Sequence, residues 1–186
     1  MMPRRIRYQV AASLDGYIAG PNGEFDWIPS DPEVDFEGMF NQFDTFLMGR
    51  GTFEIVLQQH PGGAIPGKKC VVFSRTLRQE DYPEVTLLPA PSAQFLNDLR
   101  NEPGKDIWLF GGGSLFRSLL ELQAVDTIEI AIMPILLGGG IPVLPAPAPR
   151  VKLKLTGHQV SKVGRVSVEY DIQYEGARSA KKKRAK

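Results

Sequence analysis

Hydrophobic and polar positions alternate near both ends of the chain, as they do in β-strands that are buried on one face only. The alternation over residues 6–10 predicts an opening strand. Residues 151–155 and 166–174 alternate in the same way, with a Val-Gly pair at 163–164 between them. This second pattern predicts an antiparallel hairpin with one solvated face.

Between these ends, short apolar runs alternate with segments of helical periodicity. The first helix is predicted to begin with Asp31 as its N-cap and Pro32 at its first position, and Thr52 is predicted to cap the second. The apolar face of the first helix would comprise Phe36, Met39, Phe40 and Phe43. Further helices are predicted at 92–99 and 114–122, and strands at 45–48, 69–74, 85–88, 107–110 and 127–132. This order predicts an α/β fold with a mostly parallel sheet and an antiparallel edge.

Composition and charge predict one folded domain followed by a basic tail. Hydrophobic residues make up 42% and charged residues 23% of the chain, which is typical of a globular protein. Residues 176–186 carry six basic and no acidic side chains, whereas the rest carries 16 basic and 21 acidic ones. We predict a domain over residues 1–175, with 141–149 as a rigid proline-rich connection, and a flexible tail over 176–186. An acidic body is a poor surface for nucleic acid, so no nucleic-acid partner is expected.

Sequence features of membrane insertion, export and metal binding are missing. No apolar run approaches the roughly 20 residues of a membrane span, and the first residues lack the apolar core of a signal peptide. The single Cys70 lies in an apolar run and is expected to be a small core residue. His60 and His158 have no cysteine or acidic cluster at metal-ligand spacing. We therefore predict a cytoplasmic protein without a membrane partner or a bound metal.

Three strand ends carry residues suited to phosphate binding. Apolar runs are followed by Gly111-Gly112-Gly113-Ser114 in one case and by Gly49-Arg50-Gly51-Thr52 in another, and a third run ends in Ser74-Arg75. Glycines allow close backbone approach, and the N–H groups of a following helix suit a phosphate. Each junction alone could be a tight turn, and each arginine a surface charge. Because ligands of open α/β sheets bind beyond the carboxyl ends of the strands, the three together indicate a dinucleotide.

Carboxylates are concentrated around the predicted start of the first helix, at Asp31, Glu33, Asp35 and Glu37. The helix dipole favours acidic residues there, which explains most of them without a function. One that faced inward near a cofactor would be a candidate proton donor. Asp15-Gly16 is most simply a turn after the first strand.

Five motifs in register resemble the dihydrofolate reductase superfamily. They are Val10-Ala-Ala-Ser-Leu-Asp-Gly-Tyr-Ile-Ala19, Asp26-Trp27, Leu47-Met-Gly-Arg-Gly-Thr-Phe53, Val71-Val-Phe-Ser-Arg75 and Ile107-Trp-Leu-Phe-Gly-Gly-Gly-Ser-Leu-Phe116. The closing segment Pro134-Ile-Leu-Leu-Gly-Gly-Gly-Ile-Pro142 resembles the branch built on the C-terminal reductase domain of the riboflavin-biosynthesis protein RibD. The resemblance extends from about residue 6 to residue 174.

The resemblance implies a dihydrofolate-reductase-like three-layer α/β/α fold that binds NADPH. Backbone groups of Ala11 and Ile18 would hold the nicotinamide carboxamide. The pyrophosphate would be cradled by Gly49, Arg50, Gly51 and Thr52 and by Gly111, Gly112, Gly113, Ser114 and Leu115. Arg50, Ser74 and Arg75 would meet the 2′-phosphate and adenosine ribose. The family also has a cis Gly–Gly bond, here Gly111–Gly112, and a mobile active-site loop, here residues 20–24. The RibD-like branch tends to form homodimers, which we expect through the terminal hairpin.

Three functions follow from this resemblance and from the tail. The leading one is NADPH-dependent reduction of a small heterocycle or ribosylamine, most specifically of 5-amino-6-(5-phosphoribosylamino)uracil in riboflavin biosynthesis. The enzyme alternative is dihydrofolate reduction, for which Glu33 lies nearest the position of the family's carboxylate, with Asp35 as the second candidate. The RibD branch lacks that carboxylate, which leaves ordered water as the proton donor. The alternative from another class is a non-catalytic NADP-binding protein with a polyanion-binding tail.

Overall fold

A computed structural model describes residues 3–175, so the predicted basic tail lies outside the described residues. Ten strands and four α-helices follow one another along the described chain. The strands are β1 (Ile6–Ser13), β2 (Tyr17–Ala19), β3 (Phe43–Gly49), β4 (Lys69–Phe73), β5 (Thr86–Leu88), β6 (Asp106–Gly111), β7 (Thr127–Met133), β8 (Ile141–Pro142), β9 (Lys152–Val160) and β10 (Val166–Gln173). The helices are α1 (Phe36–Asn41), α2 (Arg50–Gln59), α3 (Ala93–Asn101) and α4 (Gly113–Glu121), and a short 3-10 helix covers Gln79–Asp81.

Eight strands form one twisted sheet in the order β5-β4-β3-β6-β1-β7-β10-β9. The first six of these are mutually parallel, whereas β10 runs antiparallel to β7 and β9 antiparallel to β10. The predicted α/β fold with a mostly parallel sheet and a terminal antiparallel hairpin is therefore confirmed. Helices α3 and α4 pack on one face of the sheet, and α1 and α2 pack on the other, which gives three layers.

The two faces of the sheet have separate apolar cores. On one face, Leu119 and Leu99 pack against the aliphatic side chains of β1 and β6. On the other, Phe53 and Val56 pack against an aromatic cluster around Trp108. Cys70 belongs to this second core with 3% of its surface exposed, as predicted. No helix among residues 3–175 has the length and apolar character needed to cross a membrane.

The first helix begins four residues later than the sequence suggests. Its N-cap is Asp35, whose carboxylate accepts the Gly38 N–H at 2.8 Å, so the prediction of Asp31 as the cap is wrong. The Asp31 carboxylate is instead engaged by Arg165, at 2.8 Å, which lies on the distant terminal hairpin. Phe43, expected on the helix, is the first residue of β3 and is fully buried.

The predicted cap of the second helix is wrong, and the proline-rich connection begins with a short strand. Helix α2 begins at Arg50 with Gly49 as its N-cap, so Thr52 lies in the first turn and is not the cap. Residues 141–142, at the start of the proline-rich connection, pair with β2 in a separate two-stranded sheet. Because Pro142 lacks an N–H donor, it is accommodated in this short strand rather than in the main sheet.

Candidate active site

A cleft of about 1620 Å³ opens beside the carboxyl ends of β1, β3, β6 and β7. Its walls are the strand-to-helix turns after β3 and β6, the segment 18–40 with α1, and one face of the terminal hairpin. It is lined by Ala11, Ile18, Gly49, Arg50, Gly51, Thr52, Gly111, Gly112, Gly113, Ser114 and Leu115, and also by Glu33 and Asp35. The structure therefore brings together all of the predicted site residues except Ser74 and Arg75.

The glycines after β3 and β6 face each other and form one cradle. A Cβ atom on Gly49 would lie 3.8 Å from the carbonyl oxygen of Gly111, and one on Gly111 would lie 3.1 Å from Thr52 Oγ1. Gly111 has φ +137°, which an L side chain rarely adopts, and its bond to Gly112 is cis, as the resemblance implies. The two strand ends are thus close enough to bind the same ligand group.

The helices that start at this cradle have no side-chain caps. The N-caps of α2 and α4 are Gly49 and Gly112, and neither has a side chain to accept the N–H groups of the first turn. By contrast, α1 and α3 are capped by the side chains of Asp35 and Ser92. Uncapped N–H groups at two converging helix starts form a ready site for an anion.

The adenosine end of the predicted cofactor site lies where α2 starts beside the end of β4. Arg50 donates from Nη1 to Thr76 Oγ1 at 2.9 Å and from Nε to Glu54 at 2.7 Å. The Ser74 hydroxyl accepts the Leu77 N–H at 3.2 Å and shapes the turn that holds Arg75. Ser74 and Arg75 lie outside the cleft lining, but Thr76 connects their turn to Arg50. Both arginines of this region, Arg50 and Arg75, are solvent-exposed.

The opposite end of the cradle leads to β1 and β2. Ile18 Cδ1 lies 3.8 Å from the position of a Cβ on Gly112, and Ala11 pairs with Ala131 of β7. A ligand that extends from Arg50 through the glycine cradle would reach Ala11 and Ile18 at its far end. This order matches the one that the resemblance implies for adenosine, pyrophosphate and nicotinamide.

Glu33 and Asp35 lie at the rim of the cleft, and both act as hydrogen-bond acceptors. The Glu33 carboxylate accepts the backbone N–H of Lys162 at 3.4 Å and lies 3.7 Å from Lys162 Nζ. Asp35 caps α1. Asp15 is also an acceptor, because it receives the N–H groups of Leu137 and Gly138 at 3.1 and 2.7 Å. A hydrogen bond from Ser13, together with these backbone N–H groups, lowers the pKa of Asp15 to about 2, so it is ionised at neutral pH.

The predicted solvated face of the hairpin is in part a wall of the cleft. Ser167 and Glu169 on β10 line it, together with Glu129 on β7 and Gln9 on β1. Sequence analysis missed these residues and the buried Arg165–Asp31 pair, in which both side chains are less than 9% exposed. The hydrogen bond from the Glu33 N–H and the pairing with Arg165 hold the pKa of Asp31 below its usual value. The only sequence signal was the polar half of the alternating pattern.

The three-layer fold is of the dihydrofolate-reductase type. Dihydrofolate reductase from Enterococcus faecalis, solved with NADP(H), superposes with a TM-score of 0.64 at 15% identity, over 91% of this chain and 97% of that one. This likeness shows the shared fold.

The chain belongs to the RibD C-terminal domain family, whose model matches residues 4–166. It is 36% identical over 178 residues to the uncharacterized protein YyaP of Bacillus subtilis strain 168, which covers 90% of this chain and 94% of the relative. A Shewanella sp. PV-4 protein named provisionally for riboflavin biosynthesis superposes with a TM-score of 0.76 at 27% identity, over 91% of this chain and 99% of that one. The protein is thus an oxidoreductase of this family.

Proposed function

We propose that this protein is an NADPH-dependent reductase that transfers hydride to a C=N or C=O bond of a small heterocycle or ribosylamine. The observation that carries the proposal is the convergence of two uncapped helix starts on a glycine cradle, with Arg50 at one end and an open sheet face at the other. Bound NADPH would supply the hydride. The chain's own residues bind its pyrophosphate, orient its nicotinamide and shape the substrate space.

The residues of the cradle fit a dinucleotide. On Gly49 and Gly112, a Cβ would meet its nearest atoms at 3.7 Å or more, so neither glycine is required by internal packing. Space of this kind beside helix N-termini suits close approach of a phosphate to backbone N–H groups. The alternative of a non-catalytic NADP-binding protein shares the cradle but leaves the open sheet face beyond Ala11 without a role.

The arginine pair provides the test of cofactor choice. Arg50→Ala or Arg75→Ala should weaken NADPH binding by about 1–3 kcal/mol, the scale of a lost charged hydrogen bond, because guanidinium groups pair directionally with phosphate. NADH, which lacks the 2′-phosphate, should be affected much less. Calorimetric titration of both cofactors measures the difference. An equal loss for NADPH and NADH would remove the 2′-phosphate assignment.

Hydride addition leaves negative charge on nitrogen or oxygen, so a proton must be supplied near the transition state. Asp35 caps a helix and Asp15 is an ionised acceptor, which leaves Glu33 and water. Glu33 is engaged with Lys162 at the rim, and we propose that ordered water is the donor. Glu33→Gln should then change turnover by less than threefold from pH 5 to pH 9. A fall of 10²- to 10⁴-fold, the usual contribution of a general acid, with unchanged NADPH affinity would make Glu33 the donor.

We also propose that two copies of the chain associate through the terminal hairpin. Strand β9 is an edge of the sheet, and Leu153, Leu155 and Val160 on it are 46%, 51% and 66% exposed. A long edge with exposed apolar side chains is usually covered by another chain. Light scattering at tens of micromolar should give the mass of a dimer. Leu155→Glu should give a monomer, whereas Leu136→Glu, at a still more exposed leucine outside the hairpin, should remain dimeric. A monomeric wild type would refute the proposal.

A further inference from the structure

The part of the cleft beyond Ala11 has a flat floor made of small side chains. Ala11 on β1 pairs with Ala131 on β7, and Ala131 pairs with Ser167 on β10. These three residues form one row across three strands, on the face of the sheet that lines the cleft. A row of small side chains about 4.8 Å apart leaves room for a planar ring to lie against the sheet.

The next row of the sheet presents hydrogen-bond acceptors beside this floor. Gln9 pairs with Glu129, and Glu129 pairs with Glu169. The Gln9 side-chain oxygen is buried and has no hydrogen-bond partner among the described residues. Glu129 accepts from Arg7 Nε at 2.6 Å, whereas Glu169 forms no ion pair within residues 3–175. A buried acceptor such as the Gln9 oxygen is costly unless a donor satisfies it, and the neighbouring Glu169 carboxylate, which the charge of Arg7 compensates without an ion pair, can accept a further hydrogen bond.

Two carboxylates that lie directly opposite each other also favour a ligand with hydrogen-bond donors at this place. Like charges on facing positions of neighbouring strands destabilise a sheet. Glu129 and Glu169 occupy such positions, and both are half-buried. Gly157 faces Glu169 from β9, where even a Cβ would come within 3.3 Å of its carboxylate. Gly157 therefore leaves room for the Glu169 carboxylate, and the two glutamates supply negative charge for a ligand that carries N–H donors.

The charges in the part of the cleft beyond Ala11, which we call the substrate half, disfavour binding of a phosphate group. Five carboxylates line this half, from Asp31, Glu33, Asp35, Glu129 and Glu169. Arg165 is the one cation among the described lining residues of this half, and its Nε and Nη1 are occupied by Asp31 and Ser167 at 2.8 and 2.6 Å. Arg7 lies on the same face of the sheet, one row beyond Gln9 on β1, and is bound to Glu129 and Gln42. Arg7, Arg165 and Lys162 together compensate three of these five carboxylates, so the remaining negative charge disfavours a dianion and favours a cation.

We propose that the substrate of this reductase is a planar heterocycle that bears N–H donors, is neutral or cationic, and carries no phosphate. This proposal rests on the reductase function above and narrows it. It disfavours 5-amino-6-(5-phosphoribosylamino)uracil, whose phosphate would have to enter the acidic half of the cleft. Its ring would lie on the small-residue row, with its donor edge towards Gln9 and the two glutamates.

The test compares three probes by calorimetric titration of the full chain, both free and saturated with NADP⁺. The probes are 2,4-diaminopyrimidine, a flat ring with two amino donors that becomes cationic on protonation, and the pair uridine and uridine 5′-monophosphate. Diaminopyrimidine should bind the NADP⁺-loaded protein, and uridine 5′-monophosphate should bind it at least tenfold more weakly than uridine does. A monophosphate that binds more tightly than uridine, or a failure of diaminopyrimidine to bind either form, would overturn the proposal.

Variants of Glu169 and Gln9 test whether the row formed by Gln9, Glu129 and Glu169 binds the diaminopyrimidine. Glu169→Gln should weaken diaminopyrimidine binding at least tenfold, the effect of losing a charged hydrogen bond, and Gln9→Leu should also weaken it. The matched control is Asp171→Asn, which removes a carboxylate two residues away on the same strand but outside the cleft. Equal effects of Glu169→Gln and Asp171→Asn would refute the assignment. A wild type that does not bind NADP⁺ but still binds the diaminopyrimidine would contradict the reductase function and leave the substrate proposal standing.

Discussion

Gly49→Ala should weaken NADPH binding about 100-fold and leave the stability of the protein unchanged. Gly49 has φ −82° and ψ 170°, which alanine adopts readily, and its Cβ would meet its nearest atoms only at 3.8–3.9 Å. The methyl group would nevertheless project into the cradle between the starts of α2 and α4. Displacing a pyrophosphate from two charged hydrogen bonds costs about 3 kcal/mol, which corresponds to the 100-fold change. Calorimetry and thermal unfolding measure the two quantities.

Gly139→Ala is the matched control for this prediction. A Cβ on Gly139 would meet nothing within 4 Å, and the residue lies outside the cleft lining. We expect it to change neither NADPH affinity nor the melting temperature. If Gly49→Ala and Gly139→Ala bind NADPH equally well, the cradle does not hold the pyrophosphate. If Gly49→Ala unfolds the protein, the space beside Gly49 serves the fold and not a ligand.

Arg165→Met should lower the free energy of unfolding by about 3–5 kcal/mol at pH 7, which is typical of removing one partner from a buried ion pair. Arg165 is 7% exposed, and it links the hairpin to the segment before α1 across 134 residues of sequence. Without it, a buried carboxylate would remain uncompensated on the wall of the cleft. Chemical denaturation measures the loss. Arg5→Met is the control, because its ion pair with Asp171 has the same 2.8 Å distance but is exposed and should contribute little.

The effect of Arg165→Met should depend on pH with a defined sign. The pKa of Asp31 is lowered in the folded protein, so this carboxylate stabilises the fold above its unfolded pKa of about 4. That contribution is lost as the pH falls below about 4 through the lowered folded-state pKa. The difference between wild type and Arg165→Met should therefore be full at pH 7 and shrink below pH 4. A difference that is constant from pH 7 to pH 3 would show that Arg165 acts through packing alone.

The cofactor half of the cleft could be predicted from the sequence because its signals are local. An apolar strand, glycines and a helix start within a few residues place Gly49 and Gly111 at adjacent strand ends, and the topology then brings them together. The error at Thr52 has the same local origin. Hydroxyl side chains favour N-cap positions, but here Gly49 fills that position and leaves the N–H groups free.

The substrate half could not be predicted because it depends on register between distant strands. Gln9, Glu129 and Glu169 share a row only after β1, β7 and β10 have paired, and each looks like an ordinary solvated position in its own strand. The same holds for Asp31, whose partner Arg165 lies 134 residues further along the chain. A hydrophobic pattern distinguishes the buried face of a strand from the polar one, but it does not tell a solvated face from the wall of a cleft.

The most direct test of the central claim is the dissociation constant of the wild-type protein for NADPH, measured beside that for NADH under the same conditions. An NADPH site built from the glycine cradle and the exposed arginines predicts saturable one-to-one binding, with NADH at least tenfold weaker because it lacks the 2′-phosphate. No binding of NADPH at millimolar concentration, or equal affinity for the two cofactors, would contradict the account.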